Sequence, residues 1–313
     1  MTASGNLEEK TVVAAMKVAS KFATPDSLQE NVETIKNVID KAADNNAKII
    51  VMPETAITGY ASQDLTTIWQ VPGYPESKGL KGQNPTEFAL EVNYPDKPLP
   101  WQLSVFEKQS THRQIYIVAT FLEKQYQENE VLRQKYGDYV FYSSSTIFEP
   151  NKGLVGHYRK MNPWMDVDKS FMTAGRDLVI YDTPYGRISI AVCFDIMACL
   201  PLIKKQNVWA HFHSFAWVDQ FPPVDGSDGQ WNGNWFRAGL PGMIFENAGG
   251  FNFVAANWSV DKPENWTGYG YESIYSPQGI ILNQDNDLTG SGFVLAELDP
   301  PAENPPPPFP LYT

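Results

Sequence analysis

The apolar positions of this chain change period several times, and each change marks an element. Thr11 to Val18 reads as a buried strand. Over Ser27 to Asn46 the apolar residues Val32, Ile35, Val38, Ile39 and Ala42 recur at helical spacing. That pattern predicts an amphipathic helix capped by Asp26 or Ser27. Lys48 to Met52 is a second buried strand, ended by Pro53, which has no N–H to give to a central ladder. Strand, helix and strand in succession imply a parallel pair with a helix on the sheet face, hence an α/β architecture.

The period is lost from Ala61 to Pro100, where Pro and Gly are frequent. A stretch of that length without regular structure predicts a functional loop or lid. Trp101 to Arg113 then reads as a helix and Ile115 to Thr120 as a strand. Tyr139 to Phe148 alternates around serines and predicts a strand, followed by the turn Pro150-Asn151-Lys152-Gly153. In Leu154 to Lys160 a period of two puts Tyr158 and Lys160 on one face and His157 and Arg159 on the other, and Asn162-Pro163 ends the strand. Gly186 turns the chain into Ile188 to Val192, a short continuous apolar run. Phe194 to Leu200, without Gly or Pro, predicts the first turns of a helix. Val208 to Trp217 reads as a strand, Asp219 to Gly242 as a second long polar loop, and Met243 to Asn247 as the end of a helix. Phe251 to Ala256 is a strand ending at Asn257, Ser273 to Leu282 a hairpin about Pro277-Gln278-Gly279, and Ser291 to Leu298 a last strand. No internal repeat and no linker interrupts residues 1–298, which are expected to form one domain. Residues 299–313 are dominated by proline and are expected to be an extended arm or tail.

Composition narrows the partners. With 42% hydrophobic and 19% charged residues the chain is an ordinary globular protein, and its formal charge of -12 argues against a nucleic-acid surface, which needs a Lys/Arg excess. A small neutral or cationic substrate fits better. No apolar run approaches ~18 residues, so no membrane span is expected. The polar start lacks the apolar region of a signal peptide. As it stands the chain is expected to be cytoplasmic, a secreted or periplasmic location requiring a leader already removed. The two cysteines, Cys193 and Cys199, are too few for a disulfide framework, and Cys199 reads as a buried helix residue.

Three groups with chemistry fall at the carboxyl ends of buried strands: Glu54, Lys160 and Cys193. Cys193 sits between a strand end and a helix start, where free N–H groups and the helix dipole favour a thiolate. Each has a plainer reading: an inert buried thiol, a solvated loop acid, a lysine snorkelling from a sheet edge. Taken together they make a nucleophilic site without histidine, in which a carboxylate takes the thiol proton and an ammonium holds an oxyanion. That set suits hydrolysis of an amide and calls for no cofactor. His211 and His213 lie two apart on one strand face, but no Asp, Glu or Cys stands nearby at ligand spacing. They are expected to be satisfied, half-buried histidines, and no metal is expected. The sequons at Asn257 and Asn265 are no more than chance supplies.

Three motifs in order resemble the nitrilase or carbon-nitrogen hydrolase superfamily: Met52-Pro53-Glu54-Thr55-Ala56-Ile57-Thr58-Gly59-Tyr60, Tyr158-Arg159-Lys160 and Val192-Cys193-Phe194-Asp195-Ile196. The resemblance runs from the first strand to Leu298. It implies a four-layer αββα sandwich with Glu54 as general base, Lys160 as oxyanion partner and Cys193 as the nucleophile that forms a thioester. It also implies a homodimer paired through outer helices. Cys193-Phe194-Asp195-Ile196 followed by Phe215-Ala216-Trp217 is most similar to the vanin and biotinidase branch, whose members cleave pantetheine or biotinyl amides. Phe194 and Asp195, where true nitrilases tend to carry Trp and Glu, imply an amide rather than a nitrile. The family's second glutamate is matched by the shorter Asp168. Asp168, Phe194, Trp217, Tyr60 and Asn257 are the expected supporting or substrate-facing residues. N-acyl transfer and nitrile hydrolysis are the alternatives within the superfamily, and a non-catalytic binding protein on the same fold is the alternative outside it.

Overall fold

The computed structural model describes residues 9–21, 26–59, 85–164, 168–169, 171–220, 239–248, 250–261, 266–268 and 270–301. In chain order these form β1 (Thr11–Val18), α1 (Ser27–Asp44), β2 (Ile49–Val51), α2 (Trp101–Arg113), β3 (Tyr116–Tyr126), α3 (Glu130–Tyr136), β4 (Tyr139–Glu149) and β5 (Gly153–Arg159). There follow β6 (Val179–Thr183), β7 (Gly186–Val192), α4 (Ile196–Lys204), β8 (Ala210–Ser214), β9 (Val218–Gln220) and α5 (Leu240–Met243). The chain then adds β10 (Asn252–Trp258), β11 (Trp266–Gly268), β12 (Ser273–Tyr275), β13 (Ile281–Gln284) and β14 (Gly292–Leu298).

The main strand order is β5-β4-β3-β2-β1-β10-β8-β7-β6, with β12 on β10 and β14 on β1. From β3 through β7 the neighbours run parallel, as the strand-helix-strand reading of β1, α1 and β2 requires. β4 is antiparallel to β3, and β5 to β4, so two reversals bring β5 back to the direction of β3. The carboxyl ends of β2, β5 and β7 therefore share one edge. β14 pairs with β1 from Thr11 to Lys17, leaving β10 only Lys17 and Val18 of β1. The two halves of the sheet thus separate along β1 and meet where the strands end.

Alternation along the strands builds the layers. Val13, Ala15, Ile49, Val51, Tyr116 and Val118 pack in one cluster with Ile188, Ile190, Phe212 and Val254 of the second half. Their neighbours Ala14, Met16, Ile50, Met52, Ile117 and Ala119 pack instead with Val32, Ile35, Ile39, Leu103 and Phe106 of α1 and α2. On the second half α4 contributes Ile196, Cys199, Leu200 and Ile203 to the first cluster. The architecture is the expected four-layer αββα sandwich.

Several elements differ from the sequence reading. Asp26 is the N-cap residue of α1, as expected, but it sits in a helical conformation without a side-chain capping bond. Within the stretch expected to be irregular, Pro85–Glu87 forms a 3-10 turn and Leu90 bridges to Glu123 of β3. The regular helix after Cys193 starts at Ile196, because Cys193–Asp195 winds as a 3-10 turn. The strand expected over 208–217 ends at Ser214, and residues 218–220 pair antiparallel with 266–268. Past α5 the helix continues as a π turn, Ile244–Ala248. β6 and α3 had no expectation at all. Residues 61–84, 221–238 and 302–313, the greater part of both long loops and of the proline-rich tail, lie outside the described residues.

Candidate active site

Pro53 ends β2, and the Glu54 N–H turns to donate to Phe215 O at 3.0 Å, which ties the first half of the sandwich to the segment after β8. Glu54 is fully buried. Its Oε1 accepts from Ser143 Oγ at 2.8 Å and from Lys160 Nζ at 2.9 Å, while Oε2 has no hydrogen-bond partner among the described residues. Lys160 follows β5 and is buried rather than snorkelling, its Nζ donating also to Asp168 Oδ2 at 2.6 Å. Asp168 takes the Trp164 N–H on the same oxygen at 2.8 Å. Period two along β5 holds: His157 and Arg159, on the opposite face, bind Glu123 instead. Close packing fixes the return from Asp168, since Gly175 N–H donates to Lys160 O at 2.7 Å and a Cβ on Gly175 would collide with Arg159 O.

Cys193 follows β7 in the left-handed region, φ 47, which for a non-glycine residue stores strain of about 1–3 kcal/mol. Thr55, directly after Glu54, has φ 48. Two buried side chains clamp the Cys193 turn. Asp195 Oδ2 accepts the Val192 N–H at 3.1 Å and the Tyr158 hydroxyl at 2.6 Å, and its Oδ1 accepts Asn162 N–H at 2.7 Å. His213 Nε2 meets Cys193 O at 2.9 Å. Trp217 Nε1 donates to the Cys193 sulfur at 3.2 Å, and Asn257 Oδ1 in turn accepts the Trp217 N–H at 3.0 Å.

The charges set the resting state. Burial pushes the Glu54 carboxyl up and Asp168 adds to this, against the pull of Lys160 and Ser143. Burial opposes a charged Lys160, but Asp168, Glu54 and Cys193 outweigh it and hold the ammonium well above the ordinary lysine range. For Cys193 burial pushes the thiol up; Lys160 pulls down, while Glu54 and Asp168 push further. This corrects the expectation of a thiol activated by the helix start. With one ammonium already between two carboxylates, a thiolate would be a third negative charge in a buried site, which favours the neutral thiol.

The structure therefore brings Glu54, Lys160, Cys193, Asp168, Trp217 and Asn257 into one constellation, with Phe194 half-buried beside the thiol. Tyr60 lies outside the described residues. Sequence reasoning missed Ser143, Tyr158 and Asn162 as partners, and His213 as a contact of Cys193. The run Ser143-Ser144-Ser145 in a strand with buried neighbours was the available signal, because buried hydroxyls find partners. His211 and His213 are fully buried rather than half-buried, and each of their four ring nitrogens has a partner.

The sequence profile described as carbon-nitrogen hydrolase matches residues 12–303. The chain belongs to the carbon-nitrogen hydrolase family. Within this family it is 26% identical to mouse (Mus musculus) pantetheinase over 277 residues, 87% of the chain and 49% of that protein. It is 27% identical to human biotinidase over 285 residues, 89% of the chain and 47% of that protein. The chain spans about half the length of the curated relatives it matches. Among solved structures it resembles the amidase of Nesterenkonia AN1, from the nitrilase superfamily, with TM-score 0.66 at 14% identity over 94% of this chain and 92% of that one. A variant of that amidase, TM-score 0.64 at 13% identity over 96% and 94% of the chains, shows covalent addition of the acetamide moiety of fluoroacetamide at its active-site cysteine. At these identities the structures speak for the fold.

Proposed function

We propose that this carbon-nitrogen hydrolase cleaves a linear amide through a thioester on Cys193. The observation that carries the reading is the buried Lys160 ammonium, 2.9 Å from Glu54 and 2.6 Å from Asp168, in electrostatic reach of the Cys193 thiol at the same sheet edge. Glu54 takes the thiol proton as the sulfur attacks the amide carbon. Lys160 Nζ and the Phe194 N–H hold the negative oxygen of the tetrahedral intermediate. Glu54 passes its proton to the nitrogen, and the carbon-nitrogen bond breaks to release the amine. A water molecule, deprotonated by Glu54, attacks the thioester; the acid leaves and sulfur recovers its proton. Asp168 keeps Lys160 charged throughout.

The likeness to pantetheinase and biotinidase supports a pantetheine-like or biotinyl amide as substrate, over a nitrile. A homodimer paired through outer helices belongs to the same reading and is tested by sedimentation. Mass spectrometry of Cys193 after exposure to pantetheine, biocytin and simple amides tests the chemistry: an added acyl mass on Cys193, absent from Cys193→Ala, is expected. Wild-type turnover by Cys193→Ala would overturn it.

A further inference from the structure

His211 and His213 take no part in the chemistry above, yet they connect to it in one direction only. Ser189 Oγ lies 2.8 Å from His211 Nδ1, His211 Nε2 lies 2.9 Å from His213 Nδ1, and His213 Nε2 lies 2.9 Å from Cys193 O. A carbonyl can only accept, so His213 Nε2 carries a hydrogen. A neutral ring has one, which leaves His213 Nδ1 bare and obliges His211 Nε2 to donate to it. His211 Nδ1 is then bare as well, and the Ser189 hydroxyl must donate. Both rings are held neutral. Burial, with Lys160 adding to it, takes His213 down to about 3, and burial with His213 takes His211 well below the ordinary histidine range.

The strands build this chain into the sheet. Ser189 of β7 is in register with His211 of β8, and His213 lies between Ala191 and Ala255 of the flanking strands, whose methyl groups leave room for the ring. The His213 ring stacks on Phe253 at 5.5 Å and lies 4.3 Å from Phe215. Its reach to Cys193 O is therefore set by packing. The 3-10 turn already supplies that carbonyl with the Ile196 N–H, so His213 occupies a second lone pair that need not be filled for folding. What the bond adds is orientation, at a residue held at a φ of 47.

We propose that Ser189, His211 and His213 form a directional hydrogen-bond chain that fixes the Cys193 carbonyl and thereby aims the thiol. They are positioning residues. The inference rests on Cys193 being the nucleophile, but its direct readouts need no substrate. Nitrogen-15 NMR of the folded protein should show both histidines neutral with the hydrogen on Nε2. His213→Phe keeps the ring packing and drops the donor. Its kcat should fall about tenfold with KM within about twofold, and iodoacetamide should alkylate Cys193 more slowly by a similar factor, while Tm falls by a few degrees because the buried His211 N–H loses its acceptor. His213→Gln, whose amide can donate to Cys193 O, should recover most of both rates. A charged or Nδ1–H histidine in the wild-type spectrum overturns the proposal, as does wild-type alkylation and turnover in folded His213→Phe. Should His213→Phe not fold, Ser189→Ala decides: the carbonyl end still fixes both tautomers, so slowed alkylation with both rings still carrying the hydrogen on Nε2 supports the chain, and an unchanged rate refutes it. Turnover surviving in Cys193→Ala would instead refute the hydrolase reading and leave the NMR result standing.

Discussion

Trp217 Nε1 points at the Cys193 sulfur from 3.2 Å. A hydrogen bond to an ionised acceptor is worth roughly twice one to a neutral acceptor, so this N–H favours the thiolate over the thiol. It works against burial and the two carboxylates, which push the thiol up. Trp217→Phe removes the donor and keeps an aromatic ring. Alkylation of Cys193 by iodoacetamide should slow by about tenfold, with its pH midpoint moved to higher pH. An unchanged midpoint would mean that the indole only packs.

Ser143 donates to the same Glu54 oxygen that Lys160 binds. That bond stabilises the carboxylate. Glu54 must be ionised to take a proton, so kcat/KM should rise with pH through its raised pKa. Ser143→Ala removes a contact that lowers this pKa. The acid limb of the pH profile should therefore move to higher pH, by about 0.5 to 1 unit.

Asp168→Asn should move the same limb the other way. Asp168 Oδ2 accepts both Lys160 Nζ and the Trp164 N–H, and an asparagine oxygen can keep both bonds without the charge. Loss of that charge removes an upward push on Glu54, so the limb moves to lower pH. Lys160 also loses the partner that most favours its ammonium, and kcat should fall on the order of a hundredfold. Opposite limb shifts in Ser143→Ala and Asp168→Asn would identify Glu54 as the titrating group. Shifts of the same sign would point to another base.

Much of this was legible in the sequence because it rests on local signals. Pro53 and Asn162-Pro163 punctuate two strands, and Gly186 opens a third, so the ends that carry Glu54, Lys160 and Cys193 could be placed without a structure. Apolar spacing in α1 named Val32, Ile35, Val38, Ile39 and Ala42, all of which are buried. What was not legible depends on register between distant segments. Ser143 reaches Glu54 across 89 positions, and Tyr158 reaches Asp195 across 37. The sign of the Cys193 shift was missed for the same reason: the helix start is adjacent in sequence, whereas the burial and carboxylates that outweigh it come from β2 and the segment after β5. Residues 85–100 looked irregular because one bridge to β3 has no period.

Glu272 offers a test of the fold away from the proposed chemistry. It is fully buried, and neither carboxyl oxygen has a hydrogen-bond donor at normal distance among the described residues. Lys17, the nearby cation, is bound to Asp285 at 2.6 Å and to Asp287 O at 2.9 Å. Burial pushes Glu272 up to about 8; Lys17 opposes this and Asp285 adds to it. The unfolded chain releases this proton near 4.5, the folded protein near 8. Between those values the folded state binds more protons than the unfolded one, so this group's contribution to stability falls as pH rises across the window and levels off above it. Glu272→Gln cannot ionise and should lose none of that. Urea unfolding at about pH 5 and about pH 8 should show the variant gaining on wild type by a few kcal/mol, to order of magnitude. A difference independent of pH would mean that the buried carboxylate is stabilised as an anion in the folded protein, for which Lys17 has a third N–H.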